Sequence, residues 1–322
     1  MLFRSNGKER SKLKKRFMLM SLVLVLILAA AVGCAPEKEV ENPVDELAQE
    51  TPVELSITDD FGNTITLEKA AERIVSLAPS NTEILFAIGA GDAVIGVTTF
   101  DDYPAEVLDI EKIGDFNGMN LERIIELQPD LVINYGEGVT EETQRLVEAG
   151  IIVAGFEPES IEDIAETINR IGVLTGKTQQ AEALVQEMAA KEAELLEKIE
   201  GLDKKKVFYE IWHEPLMAAG PGSFVDQLIN LAGGANIASD AESEYPQFDL
   251  EQLIERNPEV YLTANDLPEK TAESIKARPG YENLDAVKNN QIYLLDGNIL
   301  SRPGPRIIQA LELLIEAIHP GV

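Results

Sequence analysis

The sequence predicts an α/β protein built as two three-layer lobes with mainly parallel sheets, joined by one long rigid helix. Three observations carry that prediction. From Val53 onward, short β-branched runs alternate with helical stretches, the pattern of strand–helix units around a parallel sheet. An unbroken run of strong helix formers begins at Thr178, contains no Gly or Pro before Gly201, and divides the alternation in two. One segment of the first half, Asn120 to Ile133, matches Asp249 to Leu262 of the second without a gap. A helix N-cap residue, Leu, Glu, Ile, Glu and Pro fall in register. Any capped helix that ends in proline before a strand would share part of this match. The alternative is two equivalent lobes related by a pseudo-twofold, with a ligand between them.

The elements follow in order. Residues 1–33 form a signal peptide, with seven basic side chains between Arg4 and Arg16 followed by an apolar run from Phe17 to Val32. That run is short for a membrane span, which needs about 20 apolar residues. Cys34 is the only cysteine of the chain and stands where a bacterial lipoprotein signal ends, after Ala31-Val32-Gly33. A lipid on its thiol would tether the mature protein to the membrane. Val32 departs from the commoner small residue at its position, which leaves an uncleaved signal anchor as the alternative. Either way the rest of the chain lies outside the cytoplasm and holds no internal disulfide. Residues 34–52, rich in Pro and Glu, have the composition of an acidic disordered tether.

The first lobe is expected over 53–177. It opens on a hairpin, VELSIT and TITL joined through Asp59 to Asn63. Strands are then expected at RIVSLA, AVIGVTT, DLVINY and IIVAGF, each followed by a helix. Ser80-x-x-Glu83, Ser160-x-x-Asp163 and Ser223-x-x-Asp226 read as helix capping boxes. The helix over 178–201 spans on the order of 30 Å, enough for a strut between lobes. The second lobe, 202–322, restarts at Lys206 with the same grammar and closes on a helix from Arg306 to Ile318.

Charge and chemistry narrow the function classes. The net charge is −30, and removing the leader leaves 20 basic against 56 acidic residues, a net of −36. Such a surface repels nucleic acid and anionic headgroups. The two histidines, His213 and His319, come with no G-x-S-x-G elbow, and Gly220-Pro-Gly-Ser223 lacks the Gly-Lys ending of a phosphate loop. The chain therefore reads as no enzyme and needs no catalytic cofactor. Carriers of bare zinc or manganese draw on several imidazoles, and only His213 is well placed. What the sequence does offer is aromatic and apolar surface at strand ends: Phe100, Tyr103, Phe116, Tyr135, Trp212, Met217 and Tyr245. Open α/β sheets bind ligands there, and aromatic walls suit a large, flat, partly apolar ligand.

At these residues the chain resembles a known family. SLAPSNTEILFAIGAG, the DDYP of TTFDDYP, GMNLERIIELQPDLVI, YPQFDLEQL and SRPGPRII are similar to the vitamin B12 (cobalamin) binding proteins of ABC importers, within the broader family of carriers for ferric siderophores and haem. The resemblance runs from about Arg73 to the end. It implies two α/β lobes held by one long helix that permits only small closure. It also implies a monomer that captures a corrinoid between the lobes and delivers it to a permease and its ATPase. On that resemblance Phe100, Phe116, Tyr135 and Tyr245 are groove aromatics and Arg302 a polar contact to the ligand. Phe116, Tyr135 and Tyr245 depart from a tryptophan common in the family. Trp212-His213-Glu214 has no evident counterpart, and His213 is either a reach toward the ligand's metal or a packed histidine. Glu122 and Glu251, equivalent in the repeat, are implied to dock onto permease arginines, and both also suit a helix N-terminus. An iron chelate, as ferric siderophore or haem, is the alternative cargo. A sensory or adhesive lipoprotein is the alternative of another class.

Overall fold

The computed structural model describes residues 54–115 and 118–322, so the leader, Cys34, the tether and Phe116 lie outside the described residues. The opening hairpin is present, β1 (Leu55–Thr58) against β2 (Thr64–Leu67), with Leu55 opposite Leu67. Asp59 holds its turn. The carboxylate accepts from the backbone N–H groups of Phe61 (3.1 Å) and Asn63 (2.8 Å), and from Gly155 (3.2 Å), which ties the hairpin to the sheet behind it.

The first lobe continues with β3 (Ile74–Ser76), α1 (Pro79–Ala87), β4 (Val94–Thr98), β5 (Lys112–Asp115), β6 (Gly118–Met119), α2 (Leu121–Leu127), β7 (Leu131–Tyr135), α3 (Gln144–Glu148), β8 (Ile152–Phe156) and α4 (Ile161–Leu174). Its six strands are ordered β6-β5-β4-β3-β7-β8, all parallel except the β5–β6 pair. Two expectations need correction here. After β4 the chain enters a short 3-10 turn and then β5 and β6, where the sequence suggested a helix. Only Ile113 of β5 is buried, so the alternation that marks a strand is too weak to read. Nor is Ser80 a cap: Pro79 occupies the first turn after an extended Ala78, with no side-chain cap bond. Ser160 and Ser223 do cap, accepting from the N–H groups of Asp163 (3.1 Å) and Asp226 (3.2 Å).

The long helix α5 (Thr178–Ile199) buries Ala181, Met188 and Leu195, seven residues apart, on one stripe. That stripe packs on α4 and on the last helix. The second lobe comprises β9 (Lys205–His213), β10 (Leu216–Ala218), α6 (Phe224–Leu231), β11 (Gly234–Asn236), α7 (Leu250–Arg256), β12 (Val260–Ala264), α8 (Ala272–Lys276), α9 (Asp285–Lys288), β13 (Ile292–Leu295), α10 (Gly297–Ser301) and α11 (Ile307–Ile318). Its sheet runs β10-β9-β12-β13, with β11 also on β9, and only β10 is antiparallel.

Successive residues of the central strands enter different cores. Ile74, Leu131, Val207 and Val260 face one core shared by both lobes and the long helix. Val75 and Val132 enter the outer core of the first lobe, while Phe208 and Tyr261 enter that of the second. Covering both faces of each sheet gives three layers, and explains why these strands read as nearly continuous apolar runs.

The internal repeat extends into backbone geometry. Helices α2 and α7 are N-capped by Asn120 and Asp249 and end on left-handed residues, Gln128 (φ 49°) and Asn257 (φ 47°). After the proline, Asp130 and Glu259 each donate a backbone N–H to the start of a central strand, to the carbonyls of Arg73, just before β3, and Lys206, the second residue of β9, both at 2.8 Å. Those two basic side chains reach back to the last carbonyls of the matching helix. Arg73 donates to Gln128 (3.2 Å) and Leu127 (2.5 Å), Lys206 to Arg256 (3.2 Å). The match is therefore more than a shared helix ending.

Candidate ligand-binding cleft

A cleft of about 320 Å³ opens between the lobes where parallel strands end. One wall carries Tyr135 from the end of β7, with Glu157 and Glu159 just past β8. The other carries Tyr209 of β9, together with Glu244 and Tyr245 from the loop before α7. Two tyrosines thus meet the cleft from opposite lobes with large exposed faces, Tyr135 at 42% and Tyr245 at 51%. Burial, with the charges of Glu157 and Glu159 and the Tyr245 phenol, raises the Tyr135 phenol above its usual range. It therefore stays protonated and presents a hydroxyl able to donate.

Of the other expected site residues that the structure describes, none is part of this lining. Arg302 sits between two cleft-lining neighbours, Ser301 and Pro303, but its guanidinium is committed to an inter-lobe network. It pairs with Glu83 (3.1 Å) and Asp102 (2.6 Å) and donates to the carbonyl of Phe100 (3.1 Å). Arg306 donates to both carboxylate oxygens of Glu83, Oε1 at 2.6 Å and Oε2 at 2.8 Å, and lies 4.2 Å over the ring of Tyr103. Tyr103 accordingly lines a different cavity, of about 280 Å³, beside the long helix. Glu83 is 3% exposed, so the network is a cross-link of first-lobe acids and second-lobe arginines built on one buried glutamate, with Asp102 at its exposed edge.

Trp212, His213 and Met217 belong to the β9–β10 hairpin. Trp212 donates its indole N–H to the carbonyl of Glu214 (2.9 Å), and Met217 lies opposite it in the ladder. His213 lines a third cavity of about 490 Å³ with Lys270 and Arg278, and its buried Nδ1 has no partner among the described residues. Behind that cavity, Glu210 is fully buried and accepts from Tyr261 and Arg278. Burial and the Glu210 charge push the Tyr261 phenol well up.

Sequence reasoning missed Glu83, Glu210 and Arg306. The available signal was a single acid inside an otherwise apolar stretch, TEILFAI or KVFYEIW, which calls for a cationic partner from elsewhere in the chain. Glu122 and Glu251 are exposed in the first turns of α2 and α7, as the repeat required.

Two α/β lobes on one long helix, with a cleft at their strand ends, define a two-lobe solute-binding protein. The chain belongs to the periplasmic binding protein family, whose model matches residues 74–299. It is 33% identical over 306 residues to the uncharacterized ABC transporter substrate-binding lipoprotein YvrC of Bacillus subtilis, covering 92% of this chain and 95% of that one. It is 34% identical over 250 residues to the vitamin B12-binding protein of Salmonella paratyphi A, covering 77% and 91%. Among solved structures, the periplasmic heme-binding protein RhuT of Roseiflexus superposes with a TM-score of 0.69 at 30% identity, covering 78% of this chain and 98% of that one. The chain is thus a solute-binding protein of the ABC-importer type, and its relatives are binding proteins rather than enzymes.

Proposed function

We propose that this protein is a lipid-anchored extracytoplasmic carrier that captures a corrinoid between its lobes and delivers it to the permease and ATPase of an ABC importer. The observation that carries the reading is the cleft walled by Tyr135 and Tyr245 from opposite lobes, where a flat macrocycle lies between two aromatic faces. The likeness to vitamin B12-binding relatives supports the choice of macrocycle. Both tyrosine faces are open at the lip, so a ligand larger than the cavity projects outward. Arg302 then serves as an inter-lobe brace, and Phe116 remains a groove residue by resemblance alone. Glu122 and Glu251 dock onto the permease, one from each lobe, and Cys34 carries the lipid.

Titration calorimetry of the full chain in mild detergent with cyanocobalamin tests this reading. One-to-one binding is expected, weakened by about 1–3 kcal/mol in Tyr135→Ala and in Tyr245→Ala, the usual size of losing a buried aromatic anchor. Failure to bind any corrinoid, together with tight uptake of haem, would overturn it in favour of an iron chelate.

A further inference from the structure

The cleft described above has a one-signed lining. Glu157 and Glu159 enter from the first lobe and Glu244 from the second, and among the described residues no Lys, Arg or His lines it. All three glutamates are exposed, and none is ion-paired to a basic side chain among the described residues. The nearby cations are withdrawn. Arg302 and Arg306 are neutralised by Glu83 and Asp102. Arg170, over the ring of Phe156 at the end of β8, pairs with Asp60 at 2.6 Å. Carboxylates from opposite lobes therefore face each other across the opening with no cation between them.

We propose that the cleft selects its cargo by charge, taking ligands of neutral or positive net charge that are rich in amide N–H donors and rejecting ligands whose net charge is negative. The inference rests on the cleft being the ligand site, and it deepens the corrinoid reading. Peripheral carboxamides of a corrin donate to Glu157, Glu159 and Glu244, and the metal's positive charge relieves the repulsion between lobes. The propionates of haem and the catecholates of many ferric siderophores do the reverse, since desolvating an anion beside unpaired carboxylates is unfavourable on both sides. The Tyr135 hydroxyl, held protonated by burial and these same acids, fits an amide-bearing ligand better than a ferric ion, whose tyrosine ligand is a phenolate.

The test compares two ligands of one shape: cyanocobalamin and its monocarboxylic acid, in which a propionamide is hydrolysed to carboxylate. Affinities are measured on the full chain in mild detergent, for the wild type and for Glu157→Gln, Glu159→Gln, Glu244→Gln combined. The wild type is expected to bind the acid about tenfold more weakly than the amide, with the ratio shrinking at high salt. In the triple variant the ratio should fall to within about twofold. Equal affinity of acid and amide for the wild type, an unchanged ratio in the triple variant, or haem binding tighter than cyanocobalamin would each overturn the proposal. If no corrinoid binds, the corrinoid reading fails by itself. The charge rule is then decided by cationic ferrioxamine B against its anionic N-succinyl derivative: preference for the cation upholds it, while equal binding, preference for the anion, or binding of neither overturns it.

Discussion

At the scale of single residues, Glu83 gathers the polar contacts that join the two lobes. It sits on a largely buried helix, it is 3% exposed, and both its partners come from the chain after α10, more than two hundred residues away. Its charge is tolerable only because two guanidiniums face it. Glu83→Gln removes the charge and keeps the shape. Arg302 retains Asp102 and the Phe100 carbonyl, but Arg306 loses its ion-pair partner and keeps an amide oxygen, the ring of Tyr103 and the charge of Asp296. The expected cost is about 3 kcal/mol of unfolding free energy, the range for removing one partner of a buried pair. Urea unfolding followed by circular dichroism measures it. A loss below about 0.5 kcal/mol would assign the network to the weak surface class instead. The same residue shows what sequence reading lacks. Ser80-x-x-Glu83 satisfies a local capping pattern, and only tertiary structure reveals that the acid answers a distant pair of arginines. The same limit applies to Arg302: its position beside the cleft is legible, whereas the partners its side chain turns to are not.

At the scale of elements, periodicity and breakers make most of the fold legible. The long helix, the opening hairpin, the parallel strands of both lobes and the repeated cap–helix–Pro–strand unit all follow from local rules. The exceptions include β5, β6 and β10 and the short helices α8 to α10, whose few residues carry too little pattern. Helix packing is also invisible from local rules, and here one glycine sets it. At Gly172 of α4 a Cβ would stand 2.5 Å from the Cβ of Ala181 on α5, so the strut approaches its neighbour as only glycine allows. Gly172→Ala gains about 1 kcal/mol in helix propensity and loses about 1–3 kcal/mol to overpacking. Because both clashing atoms are fixed to helix backbones, the loss should win. The expected outcome is a lower melting temperature that Ala181→Gly, made in the same chain, largely restores. A stabilised single variant would show that the two helices can slide apart freely.

At the scale of the whole molecule, the two lobes share one apolar core with the strut and are cross-linked by Glu83, Arg302 and Arg306. The molecule presents two equivalent helix starts, each with an exposed glutamate. The docking role proposed for these glutamates requires that they act on transport and leave ligand binding alone, because the cleft is a separate surface. Rim charges of this kind work through encounter rate and are screened by salt. The decisive measurement is ATP-driven uptake of cyanocobalamin into proteoliposomes holding the partner permease and ATPase. It compares the wild-type chain with Glu122→Lys combined with Glu251→Lys, with ligand affinity determined in parallel by calorimetry. Uptake that requires the wild-type chain, slows as ionic strength rises and is abolished by the double variant at unchanged affinity is the predicted result. Normal uptake with the double variant, or uptake indifferent to the chain, would contradict it.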